Sequence, residues 1–432
     1  MRMVLIDGEH YPDVTAWAVR ALGDICCAVF LGGSEKVGSV ESLAEVLGIR
    51  VYSSDNYLTA LKQALVENQI DEVVDLSDEP VLTYEDRFKI ASLCLLYGVS
   101  YRGADFHFIP KPLGRVKKPS IGVIGTGKRI GKTAVAGFLA RTLKTICEPV
   151  VVTMGRGGPE RPELVDGEKV KITPEYLVGL LERGEHAASD HFEDALTSGV
   201  KTIGCRRCGG GMAGFPFLDV VHEGVELAEN LPVDLVILEG SGATFPPYRA
   251  DAYVVVVGAK QPLAHISGYF GPLRLAFADV VVVTMADAVS EDKVESIKRA
   301  VMEVNPEVDV HLTAFRPRPL GDVAGKRIGV AMTSTEAAGK ARSYLEAIGA
   351  EVLAVSGNLA NRPLLVDDLQ RFKGVDAVAV ELKAAAVDVV TRWAIDNGVE
   401  IIYLDNEPFN IDGKDLGAAF LRLGINVLGG GR

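Results

Sequence analysis

Gly125-Thr126-Gly127-Lys128-Arg129-Ile130-Gly131-Lys132-Thr133 decides the fold of this chain. It follows the apolar run Ile121-Gly122-Val123-Ile124 and precedes a helix-like segment from Ala134 to about Lys144. Buried strand, glycine-rich loop ending in Gly-Lys-Thr, then helix is the phosphate-binding P-loop arrangement. Successive backbone N–H groups and the helix N-terminus surround phosphate oxygens. Lys132 is expected to neutralise β/γ-phosphate charge, and the Thr133 hydroxyl to ligate Mg²⁺. The stretch is read as a nucleoside-triphosphate site, with Lys132 and Lys128 as catalytic candidates.

Downstream, Val233-Asp234-Leu235-Val236-Ile237-Leu238-Glu239-Gly240 reads as a buried strand ending in an acid. Beside a P-loop such an acid holds Mg²⁺ directly or through water, so Glu239 joins Thr133 as a metal candidate. Between these motifs lie glycine-rich stretches read as loops. Thr153–Arg161 carries Arg156 and Arg161, and Gly204–Gly214 carries Arg206 and Arg207. Arg249 follows the Glu239 loop, and Lys260 follows a strand at Tyr253–Val257. Ligands of open α/β sheets bind at strand C-terminal ends. A chain of net charge −13 that gathers cations there is expected to take a second, strongly anionic substrate gripped by arginine forks. Removing Arg206 or Arg207 is expected to weaken binding of that substrate more than that of ATP. Thr284-Met285-Ala286-Asp287 ends another buried strand. Guanine-specific relatives carry [NT]-K-x-D there; Asp287 is present and the lysine is not, which favours ATP over GTP.

The 432 residues allow two or three domains. An apolar content of 48% supplies a core large enough to fold without disulfide or metal staples. The acidic balance argues against a general nucleic-acid binder, and no apolar run is long enough to cross a membrane. The opening Met1–Gly8 meets Asp7 too early for a signal peptide and reads as a first strand; a cytoplasmic setting is expected. Strands at Val4–Ile6, Ile25–Leu31, Arg50–Tyr52, Glu72–Leu76 and Val99–Tyr101 alternate with helices at Asp13–Leu22, Val40–Leu47, Tyr57–Glu67 and Tyr84–Tyr97. That alternation predicts a parallel, Rossmann-like sheet with helices on both faces. The fold class is α/β, in three parts: 1–115, a P-loop nucleotide-binding domain at 116–320, and an α/β block at 321–432. Arg316-Pro317-Arg318-Pro319 marks the second break. Whether the last block continues the P-loop sheet is left open by the sequence.

Three further clusters invite a function. Asp7 and His10 follow the first strand, where His10 can meet an anion or move a proton. Cys205-Arg206-Arg207-Cys208 is half a zinc site; a structural role is favoured, with a metal shared across a dimer or a disulfide as the alternative. Glu185-His186 with Asp190-His191 reads as a solvated helix face.

Two resemblances follow from these residues. The Gly125-Thr126-x4-Gly131-Lys132-Thr133 spacing is similar to that of dethiobiotin synthetase, as is the Glu239-Gly240 pair. The chain as a whole resembles the cyclic 2,3-diphosphoglycerate synthetase family of archaea. Asp7-Gly8-Glu9-His10-Tyr11-Pro12, the P-loop, Gly155-Arg156-Gly157-Gly158-Pro159 and Cys205-Arg206-Arg207-Cys208-Gly209-Gly210-Gly211-Met212-Ala213-Gly214 carry that match. The resemblance implies an ATP- and Mg²⁺-dependent ligase that joins the two phosphates of 2,3-bisphosphoglycerate into an intramolecular anhydride. P-loop relatives further imply a homodimer. Two other classes stay open: another ATP-dependent ligase or kinase on an anionic metabolite, and a regulatory or metallochaperone GTPase using Cys205 and Cys208.

Overall fold

The computed structural model describes residues 1–430 apart from 34, 170–172, 174, 177, 180–189 and 382–385. An N-terminal sheet holds β1 (Arg2–Ile6), β2 (Ile25–Phe30), β3 (Arg50–Tyr52), β4 (Glu72–Asp75), β5 (Ser100–Arg102) and β6 (His107–Phe108), in the order 3-2-1-4-5-6. Every pair is parallel except β5–β6. The helices between them start at defined caps. Ser39 and Thr83 each accept the N–H three residues on, and Ser42 and Asp86 return the bond. Strand order reverses beside β1, so the loops after β1 and β4 flank the crevice where such sheets bind ligands.

After β7 (Gly114–Arg115) the chain enters the large sheet. Its strands are β8 (Ser120–Gly125), β9 (Pro149–Gly155), β10 (Glu163–Asp166), β11 (Lys201–Gly210), β12 (Pro216–Asp219), β13 (Leu235–Glu239), β15 (Ala252–Gly258), β16 (Val280–Thr284), β17 (Asp309–Pro319), β18 (Arg327–Ala331), β19 (Glu351–Ser356), β20 (Ala377–Glu381) and β21 (Glu400–Asn410). They run in the order 10-11-9-13-8-15-16-17-21-20-18-19, with β12 on β11. β14 (Tyr248–Arg249) pairs with β7 outside it. β8, β9, β13, β15 and β16 are buried along their whole length, as parallel strands covered on both faces must be. One face is covered by the P-loop helix Lys132–Leu143 and the last helix, Leu416–Leu428, through Val135, Leu139, Leu143, Leu416 and Phe420. Each such side chain stabilises by roughly 1.5–3 kcal/mol. The two helices approach closely: a Cβ on Gly424 would sit 2.3 Å from Leu143 Cδ2.

The third block therefore shares the sheet of the P-loop, and the joint is the segment read as a break. β17 pairs parallel with β16 through Asp309–Leu312, then antiparallel with β21 through Thr313–Pro319. Its prolines are tolerated because of register. The Leu320 N–H donates to Tyr403 O, so N–H groups of that parity, at Arg316 and Arg318, face β21. Pro317 and Pro319 fall where the nitrogen faces away, past the end of β16.

The two sheets present their ligand-binding edges on the same side. Phe88, early in the helix Tyr84–Leu96, packs edge-on against Tyr269 and Phe270, just ahead of the helix Gly271–Ala276. Leu95–Gly98, at its end, share a cavity with Leu273 and Ala276–Asp279. The two helices thus run the same way. One leaves the C-terminal edge of its sheet, and the other returns from the C-terminal edge of the large sheet.

Candidate nucleotide and substrate site

The P-loop lies at the C-terminal edge of β8, between β13 and β15. Arg129 (φ +57°) and Gly131 (φ +79°) turn the loop through left-handed backbone. Gly131 has no alternative, since a Cβ there would stand 2.2 Å from Phe315 Cζ of β17. The loop is tethered at both ends. Thr126 Oγ1 donates to Gln261 Oε1 (2.5 Å), and Gln261 Nε2 donates to Thr126 O (3.4 Å). Thr284 Oγ1 donates to Ile130 O (2.6 Å). Gln261 and Phe315 carried no signal in the sequence, and Thr284 was read for the base rather than the loop.

Glu239 ends β13 as expected and is 1% exposed. Lys132 Nζ donates to its Oε1 at 2.6 Å, and Thr133 Oγ1 to the same atom at 3.3 Å. Among the described residues its Oε2 is buried without a hydrogen-bond partner. A buried carboxylate with one spare oxygen beside a threonine hydroxyl has the donor set of a nucleotide-bound Mg²⁺, which keeps few protein ligands.

Of the run Gly204–Gly214, read as a loop, Gly204–Gly210 is strand: β11 (Lys201–Gly210) pairs parallel with β9 and antiparallel with β10 and β12. Its glycines misled because strand preference yields to packing context. Strand alternation also separates the two cysteines. Cys205 is fully buried under the helix Val221–Glu229, where burial pushes its thiol up to about 12, and Cys208 is exposed. The pair cannot chelate one ion or form a disulfide. Arg206 and Arg207 divide likewise. Arg206 is exposed, its Nε donating to Gly158 O at 2.9 Å. Arg207 is 7% exposed and donates to Gly209 O, Ser241 O and Ser241 Oγ at 3.0–3.2 Å, bracing the segment after Glu239.

Lys128, Arg129, Arg156, Arg161, Arg206 and Lys260 are all exposed, and among the described residues none has an ion pair. Lys128 and Arg129 follow β8, Arg156 and Arg161 follow β9, Lys260 follows β15, and Arg206 lies on β11 opposite Gly155 at the end of β9; with β13 these are consecutive strands. At about 4.8 Å per strand this belt spans roughly 19 Å. Arg249 is not part of it: it sits beside β7, at the N-terminal edge of the sheet. Asp287 lies on a short exposed turn, and Lys340 of the helix Thr335–Ala347 approaches its Oδ2 at 3.9 Å.

Asp7 and His10 occupy the crevice of the other sheet. Asp7 is 1% exposed; its Oδ1 accepts from His10 Nδ1 (2.8 Å) and its Oδ2 from Asp78 N (2.7 Å). The bond to Asp7 raises the His10 pKa, with help from Asp78, whose Oδ2 lies 3.4 Å from Nε2. Among the described residues, their hydrogen-bond partners stay within the N-terminal sheet. Glu185 and His186 lie outside the described residues; His191 is 3% exposed, so it is no solvated face.

Fold and site define a P-loop nucleotide-binding protein. Family models for the N-terminal, P-loop and C-terminal domains of cyclic 2,3-diphosphoglycerate synthetase match residues 2–109, 120–314 and 319–407. The chain is 70% identical over 430 residues to cyclic 2,3-diphosphoglycerate synthetase of Thermococcus onnurineus, covering 100% of both chains. It is 53% identical to that of Pyrococcus furiosus, covering 99% of both. It is 46% identical to that of Rubrobacter xylanophilus, covering 98% of this chain and 96% of the other. Among solved structures, HypB from Helicobacter pylori in complex with nickel is 16% identical with a TM-score of 0.29, over 46% of this chain and 79% of that one. So weak a likeness carries no argument. The chain belongs to the cyclic 2,3-diphosphoglycerate synthetase family and is a ligase acting on a small-molecule substrate. No helix among the described residues is long and apolar enough to cross a membrane.

Proposed function

We propose that the protein closes the two phosphates of 2,3-bisphosphoglycerate into an intramolecular anhydride, converting ATP to ADP and phosphate. The observation that carries this is the belt of six cations around the P-loop, without an ion pair among the described residues, in a chain of net charge −13. ATP needs fewer. The substrate, with two phosphates and a carboxylate, brings roughly four to five negative charges of its own.

One substrate phosphate oxygen attacks the ATP γ-phosphorus in line, and ADP leaves. The second substrate phosphate then attacks the phosphorus of the activated one, closing the ring and expelling inorganic phosphate. Lys132 screens the transferring group, and Thr133 and Glu239 are the residues that hold Mg²⁺. When bound, that ion supplies further charge neutralisation. Arg156, Arg161, Arg206 and Lys260 screen the acceptor, and Lys128 and Arg129 reach toward the transferred phosphate from the loop. Holding both substrate phosphates in one site makes ring closure unimolecular, a gain of up to about 7–11 kcal/mol. We further propose ATP as the base preferred at Asp287, a homodimer, and a division into parts at 1–115, 116–320 and 321–432.

³¹P NMR of the protein with MgATP and 2,3-bisphosphoglycerate tests the reaction. Upfield anhydride resonances with one ADP and one phosphate per turnover are expected. ATP loss without a new phosphorus species would point to another acceptor, and GTP hydrolysis in place of ATP would replace the reading by a switch. The same assay separates the arginines. Arg206→Ala should raise the KM for 2,3-bisphosphoglycerate about tenfold, the effect of losing roughly 1.4 kcal/mol, with the melting temperature unchanged. Arg207→Ala should also cost about 1–3 kcal/mol of stability by leaving buried acceptors unmet.

A further inference from the structure

Arg249 belongs to a different opening. Between the N-terminal sheet and the large sheet lies a cavity of about 780 Å³, lined among others by Tyr97, Lys111, Arg115, Arg249, Tyr253 and Phe277. It meets the large sheet at its N-terminal edge, where Tyr253 is the second residue of β15 and Asp279 precedes β16. The P-loop is at the other edge, about 17 Å away along β8 at 3.3 Å per residue.

The parallel pairing of β7 with β14 sets Arg115 directly opposite Arg249. Like charges so placed repel, and neither guanidinium has an ion pair among the described residues. Arg249 lies 5.9 Å from the centre of the Phe277 ring, which packs at 5.0 Å on the ring of Tyr253. Among the described lining residues the only carboxylate is Asp279, whose Oδ2 accepts the Tyr253 backbone N–H at 2.8 Å. Two arginines at paired positions of the same cavity supply guanidinium forks that match phosphate oxygens, and the aromatic pair Phe277–Tyr253 beside Arg249 matches a flat ring. The volume is that of a small-molecule pocket at a domain interface rather than of a lone ion site.

We propose that this cavity is a second binding site, separate from the P-loop, for a small phosphorylated molecule that carries an aromatic ring. Arg115 and Arg249 hold its phosphate, and Phe277 and Tyr253 wall its ring. Equilibrium dialysis with ADP as the probe tests this on the full chain. Two ADP per chain are expected, falling to one when Arg115→Gln and Arg249→Gln are combined. Because the two arginines repel each other, that variant should melt no lower than the parent. Inorganic tripolyphosphate, lacking a ring, should displace the second ADP at least tenfold more weakly than unlabelled ADP. One ADP per chain in the parent, or two in the arginine variant, would overturn the proposal. A lower melting temperature with unchanged ADP binding would make the arginines structural and overturn it too. Equal displacement by tripolyphosphate would remove the ring from it.

Discussion

Lys132→Ala should abolish turnover, by at least about 10³-fold, and should also destabilise the ligand-free protein by about 3–5 kcal/mol. From the sequence alone the first effect is expected with little loss of fold. The second comes from Glu239, whose side chain is 2% exposed and whose one cationic partner among the described residues is Lys132 at 2.6 Å. Removing the ammonium leaves a carboxylate buried with only the Thr133 hydroxyl at 3.3 Å. The reverse truncation is milder, because Lys132 keeps 10% of its side chain at the surface and can turn its charge to water. Combining Lys132→Ala with Glu239→Gln should therefore recover most of the stability while turnover stays lost. Thermal unfolding beside an ADP-release assay reads both quantities. A Lys132→Ala protein that melts like the parent would show the pair to be energetically idle; one that turns over normally would remove the P-loop mechanism.

How much of this was legible in the sequence depended on whether a segment obeyed local rules. Arg50–Tyr52, Val40–Leu47 and Tyr57–Glu67 occur with the bounds read from apolar runs and caps. The P-loop and Glu239 were legible because their chemistry sits in contiguous residues. What failed was non-local. β11 looks like a loop, since four of its ten residues, Gly204, Gly209, Gly210 and the exposed Cys208, lack the bulk of strand formers. Only the neighbours β9, β10 and β12 make it a strand. β17 looks like a linker, since Pro317 and Pro319 break every local rule, yet register places them where no bond is lost. Arg249 was grouped with the substrate cations by nearness in sequence to Glu239. The intervening segment instead carries it to the far edge of the sheet.

Asp405→Ala should cost about 3 kcal/mol, the lower end for breaking a buried ion pair. It should also loosen the third block from the P-loop helix. Arg141 in the last turn of that helix and Arg318 of β17 both donate to Asp405 Oδ2, at 3.1 and 3.0 Å, and both also reach Thr197 O. Glu407 adds contacts to Arg141 at 3.4 Å and to Arg316 at 2.6 Å. Three guanidinium groups thus share two carboxylates, and Asp405, at 6% side-chain exposure, is the more buried. Without it, Arg141 and Arg318 face each other with only Glu407 between them. The backbone bonds to Thr197 O survive, which holds the loss to the lower end. In the Asp405→Ala background, Arg141→Ala should cost less than it does alone, because one of two repelling charges is then removed. Denaturant unfolding of the four proteins gives that coupling. Hydrogen exchange should show β21 and the end of the P-loop helix opening together in Asp405→Ala. Strictly additive losses, or opening confined to β21, would mean that the arginine–carboxylate network does not join the block to the helix. The shared sheet, the packing of the helix Leu416–Leu428 on the P-loop helix and the Phe315–Gly131 contact would then carry that connection.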